Sequence, residues 1–133
     1  MRRILILFCA AVLLCSFSAC AASPQPAAQD MQILDITQWP ENEYTRAIPK
    51  PDMGTPVTEI KSGSLYSVTL DGVSRQMCYD YLACLAQNGF QSKFPGQEND
   101  VSGGWLYSNG NAVVTVSQSG SRMIIGITFE SID

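Results

Sequence analysis

The segment SRQMCYDYLACLAQNGF, residues 74–90, decides the fold that the sequence predicts. Ser74 is a favourable N-cap and Gly89 is a typical C-terminal stop, so we expect a helix from Arg75 to about Asn88. At about 100° per residue, the apolar side chains of this helix fall within about 120° of one another. They are Met77, Cys78, Tyr81, Cys84 and Leu85. A helix with one such stripe is expected to pack it against a sheet.

Five strand-like segments flank this helix, two before it and three after it. They are residues 57–61, 65–70, 105–108, 112–117 and 123–130. The turns between neighbouring strands are rich in Gly, Ser and Asn; they are residues 62–64, 109–111 and 118–121. Asn109-Gly110 is among the strongest hairpin signals. The sequence therefore predicts an α+β fold in the order ββαβββ, with a single helix packed on an antiparallel sheet of about five strands.

Two further segments are harder to interpret. Residues 31–36 form a short apolar cluster that fits either a strand or a turn of helix. Residues 91–104 form a 14-residue loop between the helix and the third predicted strand. A structureless connection of that length is longer than compact domains normally keep, which favours a functional role.

The first 19 residues have the organisation of a secretion signal. Arg2 and Arg3 precede an uncharged apolar run from Ile4 to Leu14, and small residues follow it. Phe17-Ser18-Ala19-Cys20 resembles the lipobox of bacterial lipoproteins, which predicts that Cys20 is lipidated and becomes the first residue of the mature chain. The alternatives are ordinary cleavage near the same position and an uncleaved membrane anchor. Lipidation implies an exported protein, held on the outer face of the bacterial cytoplasmic membrane through Cys20.

The rest of the chain divides into a tether and one domain. Residues 20–30 are expected to be the lipidated cysteine and a flexible tether, because 21–29 contain no charge and no large apolar side chain. Residues 31–133 are expected to form a single α+β domain. Removal of 1–19 leaves six Lys and Arg against 12 Asp and Glu, a net charge of −6. An acidic domain without a basic patch excludes nucleic acid as the expected partner.

The residue types argue against catalysis. The chain contains no histidine, so the commonest general base and most catalytic zinc sites are excluded. Cys78 and Cys84 would lie about 9 Å apart on one helix, too far for a disulfide, and we expect both to be free and buried. We therefore expect no enzyme activity, no metal site and no cofactor. A hydrolase that uses a carboxylate pair is the less favoured alternative.

A set of short motifs resembles a known family. Trp39-Pro40 precedes acidic residues, Ile48-Pro49-Lys50-Pro51 follows, Tyr66 lies on a strand, and the helix with Tyr81 and Leu85 closes at Gly89-Phe90. This order, from about Trp39 to the end of the chain, resembles that of small Gram-positive bacterial lipoproteins that carry a domain of unknown function. The resemblance implies the location and the fold described above, and it implies no activity.

The function expected from the sequence is that of a small binding or protein-interaction module, acting on a protein or an envelope polymer. An inhibitor or regulator of an extracellular enzyme is the alternative. The expected ligand-binding residues lie on and beside the long loop: Phe94, Glu98, Asp100 and Trp105. Aromatic side chains are common interface anchors, and the two acids favour a basic partner or a cation. The competing interpretation is that Trp39, Trp105 and Tyr107 are core residues and the loop is only a connection.

Overall fold

The computed structural model describes residues 30–96 and 103–131. Seven strands and two helices follow one another in them: β1 Gln32–Asp35, α1 Glu43–Arg46, β2 Thr55–Ser62, β3 Leu65–Asp71, α2 Arg75–Gln87, β4 Gln91–Ser92, β5 Gly104–Ser108, β6 Ala112–Ser119 and β7 Arg122–Phe129. The strands form one antiparallel sheet in the order β1-β2-β3-β7-β6-β5-β4. The predicted signal peptide, Cys20 and the tether up to residue 29 lie outside the described residues.

The predicted fold, a single helix on about five strands in the order ββαβββ, is wrong. The described part of the chain has a seven-stranded antiparallel sheet and two short helices. The sequence did not predict β4 or α1, because two and four residues are too few to show a period in hydrophobicity. Strand β1 is defined by its pairing with β2, and strand β4 is defined by its pairing with β5. Such pairing cannot be inferred from either short segment alone.

Helix α1 is stabilised locally by a capping box. The side chain of Asn42 accepts hydrogen bonds from the backbone N–H groups of Tyr44 and Thr45, both at 3.0 Å. Thr45 returns the interaction, because its hydroxyl oxygen accepts from the Asn42 N–H at 3.0 Å. These bonds satisfy N–H groups that a helix start leaves unpaired, so the short helix can form within an otherwise irregular segment.

One face of the sheet carries the core. Pairing of β3 with β7 places Tyr66, Val68 and Leu70 opposite Ile127, Ile125 and Met123. All six are buried, and the row continues onto β6 through Val114 and Val116. Helix α2 packs over the β6 and β4 side of this face, and α1 lies against β7. Tyr44 of α1 stacks on Tyr66 and on Phe129 with ring centroids 5.2 Å apart in each pair.

The buried stripe of α2 differs from the predicted stripe. Cys78, Tyr81 and Leu85 are buried as expected, but Met77 is 40% exposed and Leu82 is buried. The helix is therefore rotated so that the middle of its buried face lies between Cys78 and Leu85, with Met77 at the margin. Cys84 is also at the margin and is half-buried; both cysteines are free.

The opposite face of the sheet is uncovered by any described element and has few charges. A row crosses six strands through Ile33, Ile60, Ser67, Gly126, Thr115 and Leu106, each paired with the next. A Cβ on Gly126 would collide with the hydroxyl of Thr115. A side chain at position 126 would therefore force the Thr115 hydroxyl out of its present position.

We expect Cys78→Ala to lower the free energy of unfolding by about 1–2 kcal/mol, because it removes a fully buried sulfur from the helix–sheet contact. Cys84→Ala is the matched control and should cost less, since that side chain is half-buried. Urea denaturation measures both.

The effect of Cys78→Ala should depend on pH. Burial raises the pKa of the Cys78 thiol from 9.0 to about 11. The folded state therefore favours the protonated thiol. The stabilisation that the protonated thiol contributes is complete below pH 9.0 and is lost as the pH rises towards about 11. The stability difference between wild type and Cys78→Ala should shrink over that range. A difference that is constant or grows with pH would contradict this assignment.

Candidate functional site

A cleft of about 660 Å³ lies where the connection between β1 and β2 passes the ends of β2 and β3. Its volume is within the range of about 300–1,000 Å³ that is typical of ligand sites. The residues that line it come from this connection and from the two strands: Gln38, Trp39, Glu41, Lys50, Pro51, Asp52, Met53, Gly54, Pro56 and Leu70.

The connection is held in place by a hydrogen bond from α2. The Tyr81 hydroxyl donates to the backbone carbonyl of Pro49 at 2.9 Å, and the Tyr81 side chain is 1% exposed. Burial raises the pKa of this phenol, so the hydroxyl keeps its proton and remains a donor. Pro49 and Pro51 restrict the backbone on either side of Lys50. The backbone position of Lys50 is thus fixed by the contact of the neighbouring Pro49 with the buried Tyr81.

The connection also approaches β3 closely at Gly54. This residue has φ +72°, and a Cβ there would lie 2.6 Å from Cγ2 of Val73 and 2.9 Å from the carbonyl oxygen of Asp71. Only glycine fits both the positive φ and the contact. This close approach forms the floor of the cleft next to Leu70, which is itself buried.

The cleft combines an aromatic surface with charged groups. Trp39 is half-buried and packs against the core, and Met53 does the same. Glu41, Lys50 and Asp52 are exposed. Two carboxylates and one ammonium group therefore surround an apolar wall, an arrangement that suits a ligand with an apolar part and a positively charged part. A second cleft of about 190 Å³ shares Lys50, Asp52 and Met53 and is closed by α2.

The two described residues of the predicted loop site differ in exposure. Phe94 is 56% exposed, whereas Trp105 is 7% exposed and makes an edge-on contact with Tyr79 at 5.6 Å between ring centroids. Trp105 is part of the core, one of the two interpretations that the sequence left open. Glu98 and Asp100 lie outside the described residues. Of the predicted site residues that the structure describes, Phe94 alone presents an exposed side chain.

The long loop is also shorter than the sequence indicates. Its first two residues pair with β5 as strand β4, and the Lys93 N–H donates to the Leu106 carbonyl at 2.8 Å. At its other end, the Gly103 carbonyl accepts from Gln118 N–H at 2.8 Å. Both ends of the connection are therefore fixed in the sheet, which weakens the length argument for its function.

A cleft of about 350 Å³ beside β4 includes Lys93, Ser108 and Asn109. Lys93 forms an ion pair with Glu130 at 3.2 Å, and the Ser108 hydroxyl donates to Glu130 at 2.8 Å. The Ser108 hydrogen bond and then Lys93 lower the pKa of the Glu130 carboxyl. Because the ammonium group of Lys93 is already paired with Glu130, this cleft is a weaker candidate for an anion site.

Within residues 30–96 and 103–131, no group of three or more His, Cys, Asp or Glu side chains could hold a metal ion. Among the same residues, no helix has the length and apolar composition needed to span a membrane.

Sequence reasoning missed the cleft residues Glu41, Lys50 and Asp52 as a site. The signal in the sequence is limited to the alternating prolines of residues 49–51 and to Trp39-Pro40. Neither motif by itself shows that the two segments enclose a space.

A scan against protein-family models found no match, and searches of curated proteins and of solved structures found no similar protein. The resemblance to Gram-positive lipoproteins therefore stays a prediction from the motifs.

We expect Tyr81→Phe to lower the free energy of unfolding by about 1–2 kcal/mol, because it leaves the Pro49 carbonyl without its donor. Amide hydrogen exchange should accelerate at Arg46 and Ala47, whose N–H groups are hydrogen-bonded in the same connection, and change less on β6 and β7. Tyr79→Phe is the control, since Tyr79 is half-buried and does not hold the connection. Equal acceleration throughout the sheet would show that the hydroxyl stabilises the whole domain and does not specifically order the cleft.

Proposed function

We propose that the chain is a membrane-anchored extracellular lipoprotein whose domain is a small binding module, and that it takes its ligand in the cleft beside Trp39. The observation that carries this proposal is the cleft itself, about 660 Å³ in volume and bordered by an aromatic ring and three charged side chains. Tyr81 and the close approach at Gly54 hold the connection in place, so the cleft would be preformed before a ligand enters.

The chemistry of the cleft favours a ligand that carries an amine beside an apolar group. Glu41 and Asp52 would face the amine, Lys50 would face a carboxylate or carbonyl, and Trp39 would cover the apolar part. Peptides and the peptide portions of envelope polymers have these groups. The acidic balance of the chain after residue 19 supports the same class of ligand, since it attracts cations and repels anionic surfaces.

The location rests on the N-terminal pattern. The positive start, the apolar run and Phe17-Ser18-Ala19-Cys20 support export and lipidation. Asp30 and Met31 are exposed, so the preceding segment would join the domain at its surface. An anchor of two or more acyl chains would keep the binding module at the membrane.

We expect mass spectrometry of the N-terminal fragment of the native protein to show a diacylglyceryl group on Cys20. Cys20→Ala should abolish the adduct and leave an uncleaved precursor or a released protein, whereas Cys15→Ala should leave the adduct unchanged. An unmodified mature chain that begins at Cys20, Ala22 or Ser23 would rule out the lipid anchor.

Binding in the cleft can be followed by fluorescence, because the chain has two tryptophans. In the Trp105→Phe variant of the full chain in detergent micelles, Trp39 is the single reporter. We expect soluble peptidoglycan fragments or short lysine-containing peptides to change its emission in a saturable way, since they would pack against the ring.

The matched pair of variants for this experiment is Trp39→Ala and Phe94→Ala, followed by calorimetric titration in the wild-type background. Trp39→Ala should weaken binding at least about tenfold, and Phe94→Ala, which removes an exposed aromatic ring outside the cleft lining, should leave it unchanged. The reverse result would move the binding surface to the loop that follows β4. Binding of neither probe would refute a cleft for amine-bearing envelope ligands.

A further inference from the structure

Among residues 30–96 and 103–131, strand β1 forms one edge of the sheet, and two of its four residues are exposed aliphatic side chains. All four of its residues are exposed. Ile33 is 59% exposed, Leu34 is 54% exposed, and Met31 just before the strand is 62% exposed. Exposed edges are normally blunted by lysine, proline or a bulge, because they are templates for pairing with another chain. Residues 31–35 contain none of these.

The backbone groups on the free side of this edge can be identified. The Ile36 N–H donates to the Val57 carbonyl at 3.1 Å, and the register of β1 with β2 continues without a shift to Gln32 and Lys61. In an antiparallel pair, bonded and non-bonded positions alternate. Leu34 and Gln32 therefore bond to β2, whereas the N–H and C=O groups of Ile33 and Asp35 point away from the sheet.

The other edge is different. Strand β4 has only two residues and is followed by Lys93 and Pro95. Shortness, a lysine and a proline are common devices that prevent strand addition. The two edges of the same sheet are thus unequal, and β1 is the edge that can accept a strand.

The free edge and the cleft follow one another along the chain. Strand β1 ends at Asp35, and the chain reaches the cleft at Gln38 and Trp39. Strand β2 extends beyond β1, because Thr55 and Pro56 pair with β3, and Pro56 lines the cleft. A strand added alongside β1 would therefore arrive at the cleft where β1 ends.

We propose that β1 receives an extended peptide segment of a partner polypeptide as an eighth strand, and that a basic side chain of this peptide enters the cleft. The inference rests on the proposed function and names its ligand as a peptide in β conformation. Apolar side chains of the peptide would cover Ile33 and Leu34 on the two faces of the sheet, and main-chain hydrogen bonds would join Ile33 and Asp35. Glu41 and Asp52 would face the basic group, with Asp35 also exposed nearby in the chain.

A second copy of the chain is the competing occupant. Two β1 strands could pair antiparallel, with Ile33 beside its own copy, but strands of four residues bury much less than the roughly 800 Å² per partner of a stable interface. Such a dimer would also leave the charges of the cleft unused. The peptide uses both the edge and the cleft, and for that reason the structure favours it.

The experiment uses the full chain in detergent micelles and a synthetic peptide of about eight residues that alternates valine and threonine and ends in lysine. The decisive variant is Ile33→Pro, which removes an outward N–H and no hydrogen bond of the domain. The control is Ile33→Ala, which removes the apolar side chain and keeps that N–H. Asp35→Pro tests the second outward position if Ile33→Pro does not fold, as judged by circular dichroism and thermal melting.

We expect Ile33→Pro to weaken binding of the peptide at least about tenfold relative to Ile33→Ala, and N-methylation of alternate amides on one edge of the peptide to do the same. Equal affinity of Ile33→Pro and Ile33→Ala would overturn the inference. If the peptide still bound and Trp39→Ala abolished the binding, the cleft would stand as a ligand site without strand addition. Concentration-dependent dimers in sedimentation that Ile33→Pro abolishes, without peptide binding, would assign the edge to a second copy and overturn the peptide proposal.

Discussion

The pairing of β3 with β7 is the constraint on which the rest of the structure depends. It places Tyr66 opposite Ile127 and Leu70 opposite Met123, and so joins the two parts of the chain that precede and follow α2. The other large pairings are formed between strands close in sequence, β2 with β3 and the meander of β5, β6 and β7. Because it closes a long loop, the β3–β7 pair requires the largest loss of chain entropy. Burial of the row of aliphatic side chains along this pair compensates for that loss.

This central pair determines what covers the core face. Helix α2 carries the chain from β3 in the middle of the sheet to β4 at its edge, and therefore lies over the β6 and β4 side. The side formed by β2, β3 and β7 is left to the connection between β1 and β2, which places Tyr44 on Tyr66 and Pro49 against Tyr81. This connection is irregular and rich in proline, so it fits the sheet less closely than a helix would. The cleft lies at the end of the connection.

The proposed ligand site follows from the same arrangement. The sheet order leaves β1 at an edge with no described neighbour on its free side, and the connection that follows β1 reaches the cleft within a few residues. An exposed backbone edge gives affinity to any extended chain, and a charged cleft next to it adds selectivity for a side chain. The long loop, which the sequence favoured as the site, has both described ends fixed in the sheet, and its aromatic terminus Trp105 is core.

By itself, the sequence determined α2 and the strands that have a clear period and clear turns. Ser74, Gly89 and the apolar spacing of residues 78–85 define the helix, and Asn109-Gly110 defines a hairpin, because capping, turn geometry and amphipathic periodicity are local properties. The export signal and Cys20 are likewise predicted from local pattern, and their test lies outside the described residues. Tertiary structure decided the strand count, the short strand β4, the exposure of Met77 and the cleft. Each of these depends on contacts between segments far apart in the chain: Trp39 and Lys50 form one site only because the β3–β7 pair and Tyr81 place their connection over the ends of β2 and β3.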